Sequence, residues 1–173
     1  MNQERQCNEC TLCCKLLPVS EINKKANTRC VHQRSLRGCM IYHQDKFPLS
    51  CRQWSCVWLL DPSIPNLARP DRAHYVIDPT PDYVTVGNTH ISVVQIWVDP
   101  NHRHAHRDPA LRSFLLERFT AFGQLGIVRF NSTDAIVLLP PPFTPNGEWI
   151  EHEAINADNR AGNQKHYERD TSE

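Results

Sequence analysis

Hydrophobic residues follow a regular pattern only in the second part of the chain. Residues 73–78 and 83–86 are rich in β-branched and aromatic side chains, and the stretch 79–82 between them contains two prolines. This segment therefore predicts a hairpin of two strands joined by a turn. Residues 91–98 are β-branched and almost entirely apolar, which is typical of a central strand covered on both faces.

A single amphipathic helix is predicted next. Asp108 and Pro109 form a strong helix start, with an N-cap carboxylate and a proline at the first helical position. Residues three and four apart place one face against the core. That face consists of Leu111, Phe114, Leu115, Arg118, Phe119 and Phe122. Gly123 or Gly126 is expected to end the helix.

The remaining elements complete a small sheet. Residues 126–130 and 135–139 predict a second hairpin. The predicted order is β-β-β-α-β-β, an α+β fold with a mainly antiparallel sheet and one helix packed on it. Residues 143–155 are expected to form a strap across this module, pinned by Trp149 and Ile150.

The pattern divides the chain into parts. Residues 1–60 show little periodicity and a thin apolar core, so we expect an irregular cysteine-rich module, held together by metal and packed on the sheet. Residues 61–72 contain three prolines and predict a linker without regular helix or central strand. Residues 73–142 form the sheet module. Residues 143–173 supply the strap and, from 156 onward, a disordered acidic tail.

The candidate chemistry lies in eight cysteines, all within the first 56 residues. They are Cys7, Cys10, Cys13, Cys14, Cys30, Cys39, Cys51 and Cys56. A C-x2-C-x2-C run is more typical of a cubane iron–sulfur cluster than of a single zinc site, which draws two pairs from separate segments. The adjacent Cys13 and Cys14 are expected to point apart, and His32 offers an imidazole in place of a thiol. The predicted ligand is zinc or iron, with a 4Fe–4S cluster as one form.

The compartment decides how the cysteines are interpreted. No apolar run approaches the roughly 18–20 residues that span a bilayer, and residues 1–6 lack the apolar core of a secretory signal. We therefore expect a cytoplasmic protein without a membrane partner. There, clustered cysteines are metal ligands or redox thiols, and Cys13 with Cys14 could exchange if metal were lost. Export by another route would restore a reading with four disulfides.

The charge is unevenly distributed. Residues 1–60 carry a formal charge of +5 and residues 61–173 carry −5. A basic nucleic-acid-binding module is one explanation. We favour another, in which Lys and Arg neutralise metal–thiolate sites that each carry a charge of about −2. Nucleic acid is accordingly disfavoured as a partner.

A second group of metal-ligand residues follows the third predicted strand. His102, His104 and His106 would share one face of an extended segment and could bind zinc, nickel or copper. No fixed fourth ligand accompanies them, and the spacing matches no common site type. A solvated loop is the favoured interpretation.

Residues 7–58 resemble the CxxCxxCC (YkgJ-type) family of zinc- or iron-chelating domains. The resemblance rests on the ordered string of eight cysteines, with His32 two residues after Cys30 and Arg52 directly after Cys51. It covers about a third of the chain and implies bound zinc or iron on the eight cysteines. It also implies that Arg52 donates hydrogen bonds to thiolate sulfur, and that Trp54 and Trp58 cover the site or serve as core aromatics.

Two positions depart from the family pattern. Thr11 stands where glycine is frequent, and Phe47 precedes Pro48 where an Arg-Pro pair is common, but neither change removes a ligand. The domain also occurs joined to flagellin lysine methylases. No glycine-rich loop after a strand is present here to hold the methyl donor, so methylation is not carried over.

The sequence favours a non-catalytic or accessory metalloprotein with an unidentified protein partner. The first alternative is an accessory component of an iron–sulfur oxidoreductase or transferase. The second is a zinc-ribbon-like nucleic-acid binder, which the zero net charge disfavours.

Overall fold

The computed structural model describes residues 5–154. Its helices are α1 (Leu12–Leu16), α2 (Leu49–Gln53), α3 (Val57–Leu60), α4 (Pro70–Ala73) and α5 (Pro109–Phe122). Its strands are β1 (Gln33–Arg34), β2 (Gly38–Cys39), β3 (Tyr75–Val86), β4 (Thr89–Val98), β5 (Leu125–Arg129), β6 (Ala135–Leu139) and β7 (Ile150–Glu153). Among these residues, no helix combines the length and the apolar character that crossing a membrane requires.

The sheet confirms the predicted α+β class. Five strands lie in the order β3-β4-β5-β6-β7, and β1 pairs with β2 in a separate two-stranded sheet. Neighbours in the larger sheet are antiparallel except β4 and β5, which α5 connects as a parallel crossover. β4 is an inner strand and is buried from Val93 to Val98, as its continuous apolar run predicted.

The prediction of a hairpin between residues 73–78 and 83–86 is wrong. Residues 75–78 and 83–86 belong to the single strand β3, which pairs with β4 on both sides of a register shift between Asp78 and Asp82. Because β3 is an edge strand, Pro79 and Pro81 can lie in its bulge without removing a hydrogen bond from an inner strand. The observed order is therefore β-β-α-β-β-β.

α5 has the predicted start and end. Asp108 Oδ1 accepts a hydrogen bond from the Ala110 amide at 2.9 Å, and Gly123 adopts a φ of +67° just after the last helical turn. Leu111 is fully buried, as expected of the core face. Phe122 departs from the prediction, because 64% of its surface is exposed.

The second hairpin and the strap also form. β5 and β6 pair as predicted, and β7 adds a further strand to β6. Trp149 packs against the main core, with the guanidinium of Arg112 lying 4.6 Å from its ring centroid. The tail predicted for residues 156–173 lies outside the described residues.

The cysteine-rich segment packs on the sheet face opposite α5. Val76 and Trp97, which are paired across β3 and β4, contact a cluster that includes Leu16 and Cys10. Leu16 is fully buried there. The cysteines are thus anchored to the two longest strands of the sheet.

Candidate metal centre

All eight predicted cysteine ligands line one cavity of about 870 Å³. They are Cys7, Cys10, Cys13, Cys14, Cys30, Cys39, Cys51 and Cys56. All eight are free thiols; Cys10 is buried and the other seven are half-buried. The structure therefore brings together residues that are up to 49 positions apart in the sequence. His32, suggested as a substitute ligand, lies on the same wall.

The first four thiols come from a turn and the short helix α1. The amide of Cys10 donates to the carbonyl of Cys7 at 2.8 Å, which closes the turn between them. α1 begins two residues later, and its buried Leu12 and Leu16 lie in the cluster against the sheet. Packing of these two leucines holds Cys13 and Cys14 at the cavity wall.

Cys39 reaches the cavity through a close backbone contact. Gly38 has a φ of +76°, and a Cβ atom on it would overlap the carbonyl oxygen of Asn8. Only glycine fits this approach, since any side chain would meet the backbone of the Cys7–Cys10 turn. The contact brings the β1–β2 hairpin, with Cys39 in β2, onto that turn.

Cys13 and Cys14, which were expected to point apart, both line this cavity. The interaction between their side chains raises the pKa of the Cys13 thiol and lowers the pKa of the Cys14 thiol to about 7. These opposite directions follow if Cys14 ionises first and Cys13 stays a thiol beside it.

Lys24 is a site residue that the sequence interpretation missed. Its ammonium lies in the cavity wall, where it donates to the carbonyls of Leu17, Lys15 and Lys25, the last two at 3.2 and 3.3 Å. Burial lowers the pKa of Lys24, while nearby thiols, Cys30 and Cys14 foremost, favour its charged form. The ammonium in turn favours the ionised form of the Cys14 thiol.

Most of the other thiols are hard to ionise one at a time. Burial, followed by repulsion from neighbouring thiolates, raises the pKa of Cys7 to about 12. Burial and the charge at Cys14 raise the pKa of Cys51 to about 11. Thiolates packed this closely need a cation between them, and a metal ion would supply it.

The sulfur atoms share one cavity but do not form a tight group of three. Among residues 5–154, no three cysteine sulfurs all lie within 4.8 Å of one another. A closed zinc site with bonds of about 2.3 Å holds its four sulfurs roughly 3.8 Å apart. No three of the described thiols are therefore placed as the ligands of one closed zinc site, and we call the set of eight thiols around this cavity the cysteine cage.

The aromatic and basic neighbours differ in their roles. Trp54 lines the cavity and donates to Asp78 Oδ1 at 2.8 Å, so it covers the site. Trp58 packs against the main core instead. Arg52 donates to the carbonyls of Gln44 and Phe47 at 3.2 and 3.3 Å, rather than to sulfur as the resemblance implied.

The histidine triplet is not brought together. His106 is buried and contacts the Arg103 carbonyl and Glu151 Oε1, at 2.8 and 3.0 Å. His104 is exposed. His102 instead stacks on His74, with ring centroids 3.5 Å apart.

Comparison with known proteins finds no family model, no curated protein and no solved structure that matches this chain. The resemblance to the CxxCxxCC family therefore stays a prediction from the cysteine pattern.

Proposed function

We propose that this protein binds zinc or iron through its eight clustered cysteines, and that an iron–sulfur cluster suits the cage best. The observation that carries the proposal is that all eight thiols line one cavity. Thiolate sulfur is the ligand that zinc, copper(I) and iron–sulfur clusters select. The set of ligands is Cys7, Cys10, Cys13, Cys14, Cys30, Cys39, Cys51 and Cys56.

The spacing of the sulfurs favours a cluster over one zinc ion. A cubane places several irons and sulfides between its cysteines, so it spans a wider cage than a lone ion does. No three of the described sulfurs lie mutually within 4.8 Å. This spacing suits the ligands of a cluster better than the ligands of one zinc ion. Two zinc ions, each drawing four sulfurs inward, are the alternative occupant.

The wall of the cage supplies groups that tune such a cluster. The ammonium of Lys24 offsets thiolate charge, and Trp54 screens one side from solvent. The buried indole nitrogen of Trp97, in the adjoining apolar cluster, has no hydrogen-bond partner among residues 5–154. Hydrogen bonds to sulfur and exclusion of solvent set the potential of an iron–sulfur centre.

We further propose that the protein is an accessory metalloprotein of the cytoplasm. A cavity walled by so many thiols leaves metal binding as its main chemistry. Its role is then to carry metal or electrons for a protein partner. The zinc-ribbon-like alternative has no specific support in the arrangement of the site.

The test is to purify the full chain without oxygen and to record its visible spectrum with iron, sulfide and zinc analysis. A brown protein with iron and sulfide in equal amounts is the expected result. A colourless protein with about two zinc ions per chain would contradict the cluster assignment but would still support metal binding. A protein without any stoichiometric metal would contradict both the cluster assignment and metal binding itself.

A further inference from the structure

A second group of metal-ligand side chains lies outside the cysteine cage. Within residues 5–154, His74, Asp99 and His102 are the one set of three or more His, Cys, Asp or Glu residues whose candidate ligand atoms all lie within 4.8 Å of one another. We propose that these three residues bind a divalent transition-metal ion. This inference goes beyond the proposed cysteine site and does not depend on it.

The backbone fixes two of these residues at the end of the first sheet hairpin. Tyr75 and Val98 are the last paired residues of β3 and β4. One position further, the amide of Asp99 donates to the carbonyl of His74 at 2.9 Å. His74 has a φ of +63°, which turns the chain from α4 into β3. The backbone positions of His74 and Asp99 are therefore fixed by hydrogen bonding at the end of the β3–β4 pair.

A short turn brings the third residue back to the other two. The amide of His102 donates to the carbonyl of Asp99 at 2.7 Å, and Asp99 Oδ1 accepts from the amide of Asn101 at 3.0 Å. His102 Nδ1 lies 4.0 Å from Asp99 Oδ2. Ligands held by backbone hydrogen bonds are already ordered, so binding loses little conformational entropy.

The donor set indicates the class of metal. Two imidazoles and one carboxylate suit zinc, iron(II), cobalt(II) and nickel(II), whereas calcium and magnesium prefer oxygen ligands. Three protein ligands also leave coordination positions for water or another small ligand, as in catalytic zinc and non-haem iron sites.

Binding requires one ring to turn. The rings of His74 and His102 are parallel within 3° at a centroid distance of 3.5 Å, so the lone pairs of their nitrogens do not converge. The side chain of His102 is 48% exposed, so a change of rotamer meets little packing. The stack keeps the two imidazoles adjacent to each other.

Lys15 competes with the metal. Its ammonium contacts both oxygens of Asp99, at 2.7 and 2.6 Å. A divalent cation on this carboxylate has to displace the ammonium, at least from one oxygen. Replacement of Lys15 by methionine should therefore tighten metal binding.

The test is a titration of the anaerobically purified full chain with Co²⁺. Cobalt on the cysteines gives a strong thiolate-to-metal absorption, whereas cobalt on two histidines and a carboxylate gives none. The expected result is that one Co²⁺ binds without adding to the thiolate band. This Co²⁺ should shift the imidazole proton resonances of His74 and His102. His102→Ala should weaken it by more than the roughly 10-fold that loss of an outer-shell contact costs.

Two variants complete the design. Asp99→Asn keeps the cap on Asn101 and removes the carboxylate, and it should also lose this Co²⁺. His104→Ala removes an exposed imidazole two residues from His102 and should bind as the wild type does. Equal binding by His102→Ala and wild type would overturn the proposal, as would cobalt found on thiolates alone. If the cysteines do not bind metal, the thiolate band alone should be missing, and Co²⁺ should still bind at His74, Asp99 and His102.

Discussion

The ammonium of Lys15 holds both carboxylate oxygens of Asp99, at 2.7 and 2.6 Å, across 84 positions of sequence. Lys15 follows Cys14 in α1, and Asp99 comes directly after β4. Their side chains are 21% and 8% exposed, so the pair is largely shielded from water. It ties the helix that carries two of the cage thiols to the end of the sheet.

Loss of this pair should destabilise the protein. Lys15→Met leaves the carboxylate of Asp99 without its cation, and the expected loss is about 1–3 kcal/mol in the free energy of unfolding, the range for a buried polar group that loses its partner. Urea denaturation followed by circular dichroism measures it. Lys25→Met is the matched control, because Lys25 is exposed. Equal stability of the two variants would show that the pair contributes nothing.

Alanine variants of Gly38 and Gly87 should distinguish the cost of a steric overlap from the cost of a positive φ. Gly87 has a φ of +58° with no atom near its missing Cβ, whereas a Cβ on Gly38 meets Asn8. Both alanine variants should lose about 1–2 kcal/mol for the left-handed conformation. Gly38→Ala should lose about 1–3 kcal/mol more from overlap. Metal content should fall only in Gly38→Ala, and equal losses in both would mean that the hairpin does not need the close contact.

Lys24 should matter for metal affinity. Its ammonium favours the ionised form of the Cys14 thiol. Lys24→Met is expected to lower metal affinity roughly 10-fold or more, as loss of an outer-shell partner does. Competition with a chromophoric chelator measures the change, and Lys25→Met is again the control. An unchanged affinity in a folded Lys24→Met protein would rule out the neutralising role.

Acid should loosen the strap at Glu151. Its carboxylate accepts from Arg107 at 3.0 Å and contacts a ring nitrogen of buried His106 at 3.0 Å, and these contacts, the one with Arg107 foremost, lower its pKa to about 2 from 4.5. The unfolded chain therefore binds more protons between those values, so this stabilisation is present above pH 4.5 and is lost as the pH falls toward 2.

The variant Glu151→Gln should be less stable than wild type near neutral pH, by about 1 kcal/mol or less because the site is partly exposed. Thermal unfolding across the acid range should show the two curves converging below pH 4.5. Glu153→Gln, at an exposed position of the same strand, should follow wild type throughout. A gap between Glu151→Gln and wild type that persists at pH 2 would contradict the assignment.

The sequence predicted those elements whose signals are local. Asp108 and Gly123 bound α5 because a cap and a left-handed glycine act within a few residues. Residues 75–86 were misassigned, since Pro79 and Pro81 resemble a turn until β3 is known to lie at the edge of the sheet. Phe122 followed the helical period but is the last residue of α5, and 64% of its surface is exposed.

The thiols of the site could be predicted, and their surroundings could not. Eight cysteines in 50 positions leave few other interpretations, and all of them reach the cavity. Lys24 carries no motif, and its role depends on burial beside distant cysteines. His74 lies 25 positions before Asp99, and only the pairing of β3 with β4 makes them neighbours.

X-ray absorption at the edge of the bound metal tests the cysteine cage most directly. The measurement uses the anaerobic Asp99→Asn protein, so that the second site does not contribute. We predict a first shell of sulfur at about 2.3 Å, with a further shell of neighbouring metal if a cluster is bound. A first shell of nitrogen and oxygen at roughly 2.0–2.2 Å, without sulfur, would contradict metal binding by the eight cysteines.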